Sequence, residues 1–140
     1  MLYLLLMKHV EHIGIAVRSL EEANERYERL LGQKAYKTEA VESEGVITAF
    51  YRIGETKIEL LESTRADGPI AKFIENRGEG IHHIAYAVDD IRAEMERLSR
   101  EGFRLLNQEP KPGADNKLVC FLHPKDAGGV LVELCQERPV

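Results

Sequence analysis

The chain repeats itself. Displaced by 71 residues (12 to 83), His12-Ile13-Gly14-Ile15-Ala16-Val17 falls on His83-Ile84-Ala85-Tyr86-Ala87-Val88. At the same displacement Glu25, Arg26 and Arg29 meet Glu96, Arg97 and Arg100. Farther on, Ile58-Glu59-Leu60 matches Val132-Glu133-Leu134 at a displacement of 74 (59 to 133), a difference that an ordinary loop insertion accommodates. A repeat of this kind decides the fold before any local propensity does. It divides a single domain, 1–140, into a first module at 8–66, a linker helix within 67–78 and a second module at 79–138. Neither copy holds enough chain to bury a good core alone, so the two are expected to pack on each other.

Each module reads as a strand, a helix and three further strands, a βαβββ unit of an α+β fold. Residues 10–17 alternate as a strand does. Ser19 stands three residues before Glu22, the signature of a capping box. Leu20, Ala23, Tyr27, Leu30 and Leu31 form the apolar stripe of the helix that follows, and Gly32 supplies its left-handed end. In the second module Asp90 is the N-cap, Ile91, Met95 and Leu98 form the stripe, and Gly102 ends the helix. Further strands are expected near 34–41, 45–53, 56–62, 103–107, 117–122 and 129–135, with a tight turn at Gly54-Glu55. Gly68-Pro69 opens a short helix through 70–76.

Composition narrows the partners. Asp plus Glu number 24 against 19 Lys plus Arg, a formal charge of -5, so no cationic footprint invites a nucleic-acid backbone. The apolar run at 2–7 is far short of the ~20 residues that span a bilayer. It lacks the charged and small-residue flanks of a signal peptide, and reads as an extended leader before a start near Met7. Cys120 and Cys135 fit no CxxC or zinc spacing and are expected to be reduced thiols in a cytoplasm-like compartment.

Alternation along a strand assigns faces. His12 shares its face with Gly14 and Ala16, and His83 with Ala85 and Ala87, so each histidine looks over small side chains that leave room for a cavity. His82 points the other way. Glu59 and Glu133 each interrupt an aliphatic run, where a carboxylate is costly unless charge or hydrogen bonds compensate it. Each module thus brings one strand histidine and one strand glutamate. If the open sheets face one another, two imidazoles and two carboxylates converge on a site suited to a divalent metal such as Co, Mn, Ni, Zn or Fe. His9 and His123 repeat nothing, although His123 could line a pocket.

At these residues the chain resembles the vicinal oxygen chelate (glyoxalase) superfamily, whose paired βαβββ modules form a cup-shaped mixed sheet around a metal. Longer stretches make it similar to the methylmalonyl-CoA epimerase family: Ile58-Glu59-Leu60-Leu61-Glu62, Pro69-Ile70-Ala71-Lys72-Phe73-Ile74, Gly78-Glu79-Gly80-Ile81-His82-His83-Ile84-Ala85, Phe121-Leu122-His123-Pro124-Lys125 and Gly128-Gly129-Val130-Leu131-Val132-Glu133-Leu134. The resemblance implies that His12, His83 and Glu133 ligate a divalent metal (Co, Mn, Ni or Zn), with Glu59 at a fourth position where some members carry Gln. Some members place a catalytic glutamate where this chain has Thr48. That leaves one acid/base role vacant, for which Glu133, Glu42, Glu44 and Glu109 are the candidates.

The implied reaction interconverts (2R)- and (2S)-methylmalonyl-CoA by removing the C2 proton, with a metal-stabilised enolate as intermediate. Inversion needs proton access from both faces. Lys111, Lys117 and Lys125 are candidates for the phosphates of the acyl-CoA, and a homodimer is implied by the family. A glyoxalase I-like lyase, an extradiol dioxygenase and a metal-free module that sequesters a small molecule are the alternatives on this fold.

Overall fold

A computed structural model describes residues 7–139. The leader read at 2–6 lies outside them. The order is β1(His9–Ala16), α1(Leu20–Leu31), β2(Lys37–Val41), β3(Val46–Ile53), β4(Thr56–Ser63), α2(Pro69–Arg77), β5(Gly80–Ala87), α3(Ile91–Arg100), β6(Lys111–Gly113), β7(Lys117–Leu122) and β8(Val132–Glu137). The chain is α+β and builds one βαβββ topology twice. It forms two compact units: a first from His12 to His82, and a second from His83 onward together with the residues up to Glu11. No helix among the described residues is long and apolar enough to cross a membrane.

In the first unit the strands run β2-β3-β4-β1. β1 lies parallel to β4, and β2, β3 and β4 are antiparallel neighbours. The second unit repeats this as β5-β8-β7-β6, with β5 parallel to β8. A helix packs on one face of each sheet. Leu20 and Ala23 of α1 pack with Val17, Ala49, Tyr51 and Leu60; Ile91, Met95 and Leu98 of α3 pack with Val88, Cys120, Leu122 and Leu134. On β3, β4, β7 and β8 the strand residues among these are Ala49, Tyr51, Leu60, Cys120, Leu122 and Leu134; Leu60 and Leu134 alternate with Glu59 and Glu133, so the site glutamates, and the histidines beside them, fall on the opposite face.

The repeat extends to hydrogen bonds. Ser19 Oγ accepts from Glu22 N and Asp90 Oδ1 from Ala93 N, capping the two helices alike. Glu62, three residues beyond Glu59, accepts from Leu20 N; Gln136, three beyond Glu133, accepts from Ile91 N at 2.7 Å. The same sheet strand that carries each site glutamate therefore ties down the start of the helix behind it. Gly32 closes α1 in the left-handed region at φ 70°, and Gly54 makes the turn between β3 and β4 at φ 60°. The three extra residues of the second copy lie between Phe121 and Glu133, where the chain makes a short 3-10 turn over Pro124–Ala127.

Three sequence expectations are corrected. Residues 103–107 do not form a strand. Leu105 makes one isolated bridge to Leu122, and the Asn107 side chain takes the places a strand backbone would fill, accepting from Phe121 N at 3.0 Å and donating to Val119 O at 3.2 Å. The strand at that edge is instead β6, three residues long. Leu30 is 68% exposed, because it lies about 80° around the helix from Leu20, outside the stripe that Leu31 completes. The strands expected to begin at 34 and 129 begin at Lys37 and Val132; a backbone hydrogen bond leads into each, from Tyr36 N to Phe50 O and from Ile84 N to Leu131 O.

Asp126 anchors the turn before β8. Arg104 holds its carboxylate with both guanidinium nitrogens at 3.0 Å and with its backbone N at 2.8 Å, lowering its pKa from 3.8 to about 2. A carboxylate depressed in the folded state contributes stability above its unfolded pKa, and that contribution is lost as pH falls from about 4 to about 2. The Asp126→Asn variant is expected to show a flatter acid limb than the parent across that window, followed by urea midpoints against pH. The two cysteines are buried and free, and burial pushes the Cys120 thiol up to about 11.

Candidate active site

Each unit builds the same buried pair by the same register. On β1 and β4, Gly14 lies beside Glu59; on β5 and β8, Ala85 lies beside Glu133. Because the residue directly beside each glutamate is small, its carboxylate leans back along the sheet to the histidine two positions earlier. His12 Nδ1 lies 3.2 Å from Glu59 Oε2, and His83 Nε2 lies 3.1 Å from Glu133 Oε1. The four residues are 5, 4, 6 and 5% exposed (His12, Glu59, His83, Glu133). Burying a carboxylate this deeply in a strand requires a partner, and the histidine is that partner.

Donor chemistry fits a divalent ion. Imidazole nitrogen with carboxylate oxygen is the set that Zn, Co, Mn and Ni accept, and each unit offers it as a buried pair, His12 with Glu59 and His83 with Glu133. The units differ in which ring nitrogen meets the carboxylate: Nδ1 in the first, Nε2 in the second.

Around each pair the same face carries residues that the sequence reading did not single out. Phe50 pairs with Glu59 across β3 and β4, and Phe121 pairs with Glu133 across β7 and β8. Their displacement is again 71 (50 to 121), a signal that was available in the sequence. Lys57, 4% exposed, stands opposite His12 in register. Its signal was its position two residues before Glu59, hence on the same face.

Thr48 is fully buried on the Glu59 face of β3, opposite Leu61 on one side and Glu39 on the other. Its hydroxyl oxygen is, among the described residues, a buried side-chain oxygen with no hydrogen-bond partner. Leaving such a group unsatisfied costs on the order of 1–3 kcal/mol. Thr48→Val keeps the shape and removes the orphan, so it is expected to raise unfolding stability by about 1 kcal/mol, read as a higher urea midpoint at unchanged slope.

The remaining candidates lie elsewhere. Glu42 and Glu44 sit in the turn before β3, and Glu109 is 72% exposed and held by Arg92. The His82 ring packs edge-on against Phe73 at 5.0 Å, on the face away from His83. His123 Nδ1 accepts from Lys125 N at 3.1 Å and fixes the 3-10 turn that follows it. Lys117 is largely buried, 3.8 Å from Glu137, and Lys125 is exposed.

The topology and the paired donors define a class, and comparison with known proteins agrees. A family model described as the Glyoxalase/Bleomycin resistance protein/Dioxygenase superfamily matches residues 11–121, and the chain belongs to that superfamily. Ethylmalonyl-CoA/methylmalonyl-CoA epimerase of Cereibacter sphaeroides is 46% identical over 91% of this chain and 96% of its own. The mitochondrial methylmalonyl-CoA epimerase of Homo sapiens is 44% identical over 91% of this chain and 73% of its own. A Streptomyces coelicolor methylmalonyl-CoA epimerase, solved in complex with 2-nitronate-propionyl-CoA, superposes with a TM-score of 0.91 at 36% identity, covering 95% of this chain and 99% of that one. Within the superfamily the chain belongs with the methylmalonyl-CoA epimerases.

Proposed function

We propose that this enzyme interconverts the C2 epimers of methylmalonyl-CoA. The observation that carries the reading is the His–Glu pair built at one register in both units, in a chain that belongs with the epimerases. His12, Glu59, His83 and Glu133 would together hold one divalent ion, Co, Mn, Ni or Zn. When bound, such an ion supplies a Lewis acid that offsets the negative charge developing on oxygen as the C2 proton leaves.

The chain's own residues supply the rest. Glu133 would exchange the C2 proton: the C–H bond breaks, its electron pair stays on the substrate, and the proton goes to a carboxylate oxygen. His83, 3.1 Å from Oε1, orients that group. Gly14 beside Glu59 and Ala85 beside Glu133 carry no side chain long enough to cover the two carboxylates. Return of a proton to the opposite face completes inversion and requires a second donor. A reducing, cytoplasm-like compartment suits two buried free thiols, and a homodimer is the assembly expected for the family.

Incubation of metal-loaded protein with methylmalonyl-CoA in deuterium oxide tests the proposal. The expected result is deuterium at C2 with interconversion of the epimers, lost on chelation and regained on reloading. Absence of exchange above the blank, with metal bound, overturns it. Lactoylglutathione formation would favour the glyoxalase reading instead.

A further inference from the structure

In each unit a lysine ammonium lies over the phenylalanine that flanks the site glutamate. Lys37 Nζ is 4.8 Å from the centroid of Phe50, and Lys111 Nζ is 5.5 Å from that of Phe121. Phe121 in turn packs edge-on against His83 at 5.9 Å, so His83, Phe121 and Lys111 form one continuous series on the Glu133 face. Lys111 and Glu133 are both near enough to the Cys120 thiol to act on it, with opposite signs. The ring beneath the ammonium holds it in place and removes part of its water, which strengthens any anion contact it makes.

The two lysines are not equivalent. Lys37 stands opposite Phe50, whereas Lys111 stands opposite Val119 and reaches back to its ring diagonally. Position 119 corresponds to position 48, and what faces Thr48 in the first unit is Glu39. One place in the repeated fold thus carries a carboxylate in one unit and an ammonium in the other. In the first unit Glu39 and Lys37 lie 3.4 Å apart, so that unit's lysine shares its face with a carboxylate of its own strand. A repeat that must take an asymmetric substrate needs such a difference, and an anionic acyl group approaching Glu133 needs a cation on that face.

We propose that Lys111 recognises an anionic oxygen group of the acyl-CoA, either the free carboxylate of the acyl chain or a phosphate of the CoA. The assignment rests on the function proposed above and extends it to what selects the substrate. Binding of three ligands to the metal-loaded protein separates the sources: malonyl-CoA, propionyl-CoA, and the phosphate-free malonyl thioester of N-acetylcysteamine. Charge-assisted contacts of this kind predict that Lys111→Met binds malonyl-CoA about tenfold to a hundredfold more weakly. If the group is the acyl carboxylate, the loss extends to the phosphate-free malonyl thioester and spares propionyl-CoA. If it is a phosphate, the loss extends to propionyl-CoA and spares the phosphate-free thioester. Lys111→Arg should recover part of the affinity, and Lys111→Gln with a parental urea midpoint guards against a folding defect. Unchanged affinity of folded Lys111→Met and Lys111→Gln for all three ligands, in a protein whose parent binds and epimerises, overturns this inference alone. A parent that neither binds malonyl-CoA nor exchanges the C2 proton overturns the function and this inference with it.

Discussion

Glu133→Gln is expected to slow C2 proton exchange by about 10²–10⁴-fold, the range spanned by loss of a positioned acid/base group. Gln matches Glu in shape, so the β-sheet register and the contact with His83 can persist. What disappears is the charge and the capacity to carry a proton. Glu59→Gln provides the contrast, because some members of the family carry Gln at that position. It is expected to retain metal and to lose far less activity than Glu133→Gln, although both carboxylates are equally buried and equally paired with a histidine. Metal content per chain and the C2 exchange rate, measured on both variants, check the prediction. Equal losses in the two variants would mean that the pairs serve the fold alike and that Glu133 has no separate role. Stability of both should fall modestly, since the amide oxygen still accepts from the imidazole; removing the histidine instead would leave a buried carboxylate uncompensated.

Much of this site was legible in the chain because alternation and displacement act together. Period-two alternation places His12 with Gly14 and Ala16, and the displacement of 71 transfers that face to His83, Ala85 and Ala87 without any knowledge of pairing. The helix caps were legible for a simpler reason: Ser19 and Asp90 are local signals with a local partner. Residues whose place depends on which strand pairs with which were not legible. Phe50 and Phe121 do repeat at the displacement of 71, but that repeat alone does not put them in the site; β3 and β7 do, by setting them opposite Glu59 and Glu133. Lys111 was a phosphate candidate in the sequence, but its place over Phe121, like that of Lys37 over Phe50, is a step further out. β6 itself has three residues including Pro112 and Gly113, both poor strand formers, and it exists because β7 offers it an edge. Asn107 shows the converse. An apolar pattern suggested a strand at 103–107, but one amide side chain satisfies the ladder positions and the backbone turns away.

Leu60→Ala and Leu134→Ala are expected to cost about 2–5 kcal/mol each, the largest stability losses the fold allows from one truncation of this type. Each leucine follows a site glutamate by one residue, so alternation turns it away from the donors and into the helix-facing core, where both are fully buried. Leu60 sits among Ala23, Ala49 and Tyr51; the two alanines keep backbone close, and the rigid Tyr51 ring does not fold into the space left behind, which limits collapse. Leu134 sits among Met95, Leu98 and Leu122, longer and more adaptable side chains, so its variant should lie nearer the lower end of the range. Urea unfolding at unchanged slope measures both costs. Because the donors lie on the other face, folded protein of either variant should keep the parental metal content and exchange rate well below its unfolding midpoint. A variant that loses stability and activity in the same proportion under those conditions would show that the two faces of the sheet are coupled, and that the strand register cannot hold Glu59 or Glu133 in place without the leucine behind it.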